Sequence, residues 1–141
     1  MHTATPNQNG YEWRGGRLAD PHATPEERNQ AMLAHLLGLL GLIDHFVLGL
    51  IGVVVLHLAT KGRSPFVDDH AREAINFQLS LLVYELAAGV LIVMTLGLGV
   101  LVVLPALLAL WIIRLVVGIR GAVAANRGEF YRYPLCIRFL G

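Results

Sequence analysis

Charge is scarce in this chain, and one stretch almost lacks it. Only 15% of the 141 residues are charged, against about 25% in ordinary soluble domains. From Phe77 to Ala125 just three side chains carry charge: Glu85, Arg114 and Arg120. A water-soluble domain of this length needs a polar face on most of its helices, so the solvent of this run is largely lipid. A second run, Met32 to Thr60, is similar and holds His35, Asp44, His45 and His57.

Other shortages narrow the function. The single cysteine, Cys136, excludes an internal disulfide and weighs against a thiolate metal site. The first thirty residues contain no apolar core of a signal peptide. The hydrophobic helices are therefore expected to direct insertion and to stay in the mature protein. A net charge of +1 gives no basis for nucleic-acid binding. Six histidines raise the question of a metal, but no HxxxH or HExxH spacing exists. No Ser/His/Asp arrangement, phosphate loop or paired carboxylate can be argued, so neither a cofactor nor an enzyme is expected.

What the chain does contain is helix punctuation. Residues 1–23 are rich in Gly, Asn, Pro and Thr and read as a flexible polar tail. Residues 24–140 read as one transmembrane helical domain, with helices at about 25–43, 46–60, 68–97 and 100–127. Thr24-Pro25-Glu26-Glu27 predicts a capped start with a capping box. Asp44-His45 interrupts the first apolar run. Ser64-Pro65 closes a polar loop, and Asp68 or Asp69 is expected to start the next helix. Gly97 and Gly99 bracket a turn, and Gly128 fits just past the last helix. The expected class is an all-α integral membrane protein. It is a small bundle of two short and two long hydrophobic helices with an extended interfacial C-terminal segment.

A spanning helix needs about 20 apolar residues. Residues 77–125 suffice for two crossings, while residues 32–60 are too long for one and too short for two. Two topologies stay open: a shallow hairpin turning at Asp44-His45, or one tilted span. Basic residues favour the cytoplasmic side. The hairpin puts the N-terminal arginines, the Lys61–Arg72 loop and the C-terminal arginines on that side, and leaves both outward turns without Lys or Arg. Charge thus favours the hairpin, with both termini cytoplasmic.

Buried charge in a bilayer costs about 2.5–3.5 kcal/mol and usually finds a partner. Across a hairpin turning near Leu98, Glu85 and Arg114 fall close enough in depth to pair. The pair either sets register or lines a polar path. Arg114, Gly118, Gly121 and Ala125 form one stripe; Gln78, Glu85 and Gly89 form another. Small residues allow membrane helices to approach and polar ones to bond across the gap. Asn76 and Gln78 need partners within the membrane, and His35 and His57 lie at similar depth. In the C-terminal segment, Tyr131, Tyr133, Leu135, Ile137 and Phe139 alternate with Arg132, Pro134 and Arg138. That period of two suits an extended strip folded over the cytoplasmic helix ends. With Asn126, Arg127 and Gly128 it makes a candidate interfacial motif.

Three segments carry a resemblance: EERNQAMLAHL (26–36), SPFVDDHAREAINFQ (64–78) and ANRGEFYRYPLCIRFL (125–140). Together they resemble a widespread bacterial membrane-protein family of unknown function, similar to the twenty-kilodalton subunit of the chloroplast inner-envelope (Tic) translocon. That family commonly has Thr where Cys136 stands, and a Pro-containing break where Leu42 to His45 stands. The resemblance implies a four-helix bundle in the bacterial inner membrane and a protein-conducting or assembly role, but no reaction. The expected function is a non-enzymatic scaffold, assembly factor or accessory subunit. Its partners would be lipid and other membrane proteins or further copies of itself. A small channel or transporter using the intramembrane polar residues is the alternative.

Overall fold

The computed structural model describes residues 10–44 and 47–141. His45, half of the expected break, lies outside them. The described residues form a mostly helical membrane bundle with a small β-hairpin. Strands β1 (Glu12–Arg14) and β2 (Arg17–Ala19) pair antiparallel, Trp13 opposite Leu18. Gly15 and Gly16 between them both adopt positive φ, the requirement of a tight two-residue hairpin turn. Residues 12–19, expected within the flexible tail, are thus ordered. So short a hairpin is marginal alone; this one leans on the other terminus. Asp20 N–H donates to the Gly128 carbonyl (2.8 Å) and Phe130 N–H to the Leu18 carbonyl (2.8 Å). Arg17 pairs with Glu129 at 3.0 Å.

Helix α1 spans Pro25–Gly38 and starts with the expected capping box. Glu27 N–H donates to Thr24 Oγ1 (3.2 Å), and Thr24 N–H to Glu27 Oε2 (2.7 Å). The backbone donor at Thr24 and the Ser64 hydroxyl hold the Glu27 carboxyl below its usual range. The apolar run has a break that was not expected, after Gly38, ahead of the expected one at Asp44-His45. A short α2 (Gly41–Asp44) ends at that expected break and leads to α3 (Val47–Thr60). Asp44 caps this second piece by accepting from Leu48 N–H at 2.9 Å. α1 and α3 run antiparallel in contact: a Cβ on Gly49 would meet the Gly38 carbonyl, and one on Gly52 would meet Leu37.

Helix α4 spans Pro65–Met94 and α5 spans Val100–Asn126. Ser64, not Asp68 or Asp69, caps α4, because Pro65 occupies the first helical position where its missing N–H costs nothing. Asp68 instead accepts from Gly62 N–H at 2.9 Å. The turn between the long helices uses Gly97 at φ +92° and the Thr95 hydroxyl, which accepts from Gly99 N–H. Past α5, Gly128 takes φ +75° as expected.

Both long helices are apolar enough to cross a membrane. Only 22% of the α4 window and 17% of the α5 window are buried, which separates them from the core helices of a soluble protein. α1 packs on both α4 and α5, which touch each other little. Close approach rests on Ala34, Ala71, Ala74 and Ala124, all buried.

Candidate functional site

Most of the buried polar residues described fall into three groups. The first surrounds Arg114 on α5. Its Nη1 donates to the Gly41 carbonyl at 2.8 Å and its Nη2 to the Gly38 carbonyl at 3.1 Å; Nη2 also bonds Gln78 Oε1. Gln78 Nε2 donates to the same Gly38 carbonyl at 3.0 Å. Gly38 is the last residue of α1, where a helix leaves its last acceptors without partners, and Gly41 opens α2 just past the break. A cation there also meets the negative end of the helix dipole. Arg114 therefore explains why the break falls after Gly38. The glycines make room: a Cβ on Gly41 would lie 1.6 Å from Arg114 Nη2, and one on Gly38 would lie 2.7 Å from Gln78 Nε2. Along the same stripe, a Cβ on Gly118 would strike Leu39 and one on Gly121 the His35 ring. The Arg114–Ala125 stripe thus faces α1. Gly89, in the other expected stripe, has nothing within 4 Å of where its Cβ would stand.

The second group is a fully buried relay. His35 Nδ1 lies 2.6 Å from Tyr133 Oη, and His35 Nε2 lies 2.8 Å from His70 Nδ1. A bond between two ring nitrogens requires one of them to accept, so at least one imidazole is neutral. Phe66, Phe77, Phe130 and Tyr131 close around these rings edge-on or stacked. Burial pushes the Tyr133 hydroxyl well above its usual pKa. His57 is not part of this group; its Nδ1 lies 3.9 Å from Asp68 Oδ1, two residues before His70 on α4.

The third group is a polar stripe on α4 that grips the C-terminal segment. Asp69 takes both guanidinium nitrogens of Arg132 at 2.6 and 2.7 Å. Glu73 accepts from Tyr133 N–H at 2.8 Å and from Arg138. Asn76 accepts from the backbone N–H of Phe139 and Leu140 and donates to the Leu140 carbonyl. Ser80 accepts from Ile137 N–H at 2.8 Å, and Tyr84 donates to the Leu135 carbonyl at 2.7 Å. The partner of Asn76 is thus the chain terminus, not His35 or His57. The C-terminal segment also goes further than a fold over the helix ends. It runs up α4 as far as Tyr84, turns at Pro134-Leu135 where Leu135 takes φ +55°, and returns. Cys136 lies within it, partly buried, with the Ser80 hydroxyl 3.9 Å from its sulfur.

Of the other residues in the expected motif, Asn126 ends α5 and Arg127 is its C-cap. The Gly128 carbonyl receives Asp20 N–H. Tyr131 is buried beneath the Arg17 guanidinium, 5.7 Å from its ring centre. His70, Glu73, Ser80 and Tyr84 were missed; the 69, 73, 76, 80, 84 spacing, one polar line on an apolar helix, was the available signal. Among the described residues, no three His, Cys, Asp or Glu side chains are grouped to hold a metal. Glu85 and Arg114 line one cavity of about 800 Å³ between α4 and α5, otherwise walled by Leu81, Leu104, Leu108 and Trp111.

The model of the MamF/MmsF family, described as the magnetosome magnetite crystal formation protein family, matches residues 26–140. The match takes in the whole bundle and the C-terminal segment. It is a membrane-protein family, as the three motifs indicated; likeness to a chloroplast translocon finds no support in it. No curated protein and no solved structure matches the chain.

Proposed function

This chain belongs to the magnetosome magnetite crystal formation protein family, and from that premise we propose that it is a non-enzymatic accessory scaffold of a magnetite-forming membrane. One observation carries the reading. Arg114, Gln78, Asn76, Glu73, Ser80 and Tyr84 all bond backbone atoms of other segments. Their polarity fixes one arrangement of the chain rather than an exposed reaction centre. In this reading Glu85 pairs with Arg114 and completes the same lock. Both termini face the cytoplasm, because the N-terminal hairpin, Asp69 and the C-terminal arginines gather at one end of the bundle. The scaffold presents that end to other membrane proteins or to further copies of itself.

The test is deletion of the gene in a magnetite-forming cell, with crystal size measured, and purification of the tagged protein in mild detergent to identify what accompanies it. Altered crystals and a defined companion are expected. Normal crystals in the deletion strain would sink the proposal. A second reading, a small channel or transporter, draws on the cavity shared by Glu85 and Arg114. Ion flux in liposomes that Glu85→Ala abolishes would favour it over the scaffold.

A further inference from the structure

The C-terminal segment leaves the helical bundle and comes back to it, and its course can be measured against α4. Arg132 is held at Asp69 and Arg138 at Glu73, both before Phe77, where the nearly charge-free run begins. Between those arginines lies Tyr-Pro-Leu-Cys-Ile, without a charge. Its tip, Leu135, is tied to Tyr84. Tyr84 stands seven residues beyond Phe77, about 10 Å further along the helix at 1.5 Å per residue. The hydrocarbon core is about 30 Å thick. We propose that residues 133–140 form a re-entrant loop whose Pro134-Leu135 tip is inserted among the acyl chains of the leaflet nearest the termini.

Two independent features fit this occupant. Irregular backbone survives at membrane depth only where protein satisfies its polar groups. Here Glu73, Asn76, Ser80 and Tyr84 bond backbone groups of Tyr133, Leu135, Ile137, Phe139 and Leu140. Proline at the tip brings no N–H to satisfy. The outward side of the loop is apolar toward its tip: Leu135 is 62% exposed and Ile137 41%. The charges sit at the base and the greasy residues at the tip, the gradient of an interface crossed twice. Water would leave this tip uncovered, and lipid covers it.

The inference does not depend on the scaffold reading and is tested on the full-length protein in phospholipid vesicles. A fluorophore sensitive to polarity is attached at Leu135→Cys in a Cys136→Ser background, and separately at Trp13→Cys on the exposed N-terminal hairpin. Each is challenged with aqueous iodide and with lipids carrying a nitroxide on the acyl chain. The expected result is a blue-shifted Leu135 probe, quenched strongly by the nitroxide lipids and several-fold less by iodide than the Trp13 probe. Iodide quenching equal to that at Trp13 would place the loop in water and overturn the proposal. Quenching by neither reagent, which a covering protein would cause, overturns it as well. Asn76→Ala, with helicity checked by circular dichroism, is expected to shift the Leu135 probe toward iodide.

Discussion

The two ends of this bundle are built on different principles. At the end that carries the termini, four segments are tied together: the N-terminal hairpin, α1, the first half of α4 and the C-terminal segment. Every one of α4's buried residues lies at or before Leu81. At the other end, α4 beyond Leu81 and α5 before Arg114 bury only Val103, and a cavity separates them. The contrast follows from the solvent. Lipid is as apolar as leucine and gives helices no hydrophobic reason to associate, so specificity at the far end is left to the membrane. Near the termini, hydrogen bonds to backbone and glycine-mediated contacts select one structure.

The comparison breaks most severely at Arg114. Arg114→Leu leaves the Gly41 carbonyl and Gln78 Oε1 without their donor and the Gly38 carbonyl with Gln78 Nε2 alone, and each buried orphan costs about 1–3 kcal/mol. Loss of a monodisperse, fully helical species in mild detergent is expected; retention would show that the break in α1 holds itself. Next comes Gly49→Ala, whose Cβ would lie 2.6 Å from the Gly38 carbonyl and 2.9 Å from the Gly41 nitrogen. Both are backbone atoms that cannot swing aside, so overpacking of about 1–3 kcal/mol is expected, read as a lower midpoint in denaturing detergent.

A smaller effect separates the ends by pH. Tyr133 is held protonated by burial, whereas an unfolded tyrosine ionises near pH 10. The unfolded state gives up this proton first, so the contribution of Tyr133 is complete below pH about 10 and declines above it. Tyr133→Phe should flatten the alkaline limb of stability measured against pH. An unchanged slope would exclude Tyr133 as its source. The least effect is expected at Gly89→Ala in the loose end, where a Cβ meets nothing. A change within about 0.5 kcal/mol is ordinary for such a site; a clear loss would mean that this face packs against something in the membrane.

The sequence disclosed what is local. Hydropathy located the long helices, and Thr24, Glu27 and Gly128 marked ends by chemistry that acts within a few residues. Gly38, Gly118 and Gly121 were legible as small positions, though not which helix they admit. What stayed hidden depends on distant backbone. Asn76 looked like a buried amide in need of side-chain partners, yet its partners are main-chain atoms more than sixty residues away. No side-chain pattern advertises a backbone partner. The additional break after Gly38 was missed for the same reason: its stabiliser, Arg114, lies on the last helix. Residues 12–19 gave no strong strand signal because their order is borrowed from Gly128 and Phe130.

The capping of α1 by Arg114 also has a consequence for the order of biogenesis. The Gly38 and Gly41 carbonyls are synthesised more than seventy residues before the guanidinium that receives them. Until α5 is made, the Gly41 carbonyl lacks its donor and the Gly38 carbonyl has only Gln78, so the first hairpin cannot rest in lipid in its final form. Chains truncated before Arg114 are therefore expected to remain digestible by protease around residues 38–44, and full-length chains to resist. The last helix to emerge is the one that closes the first.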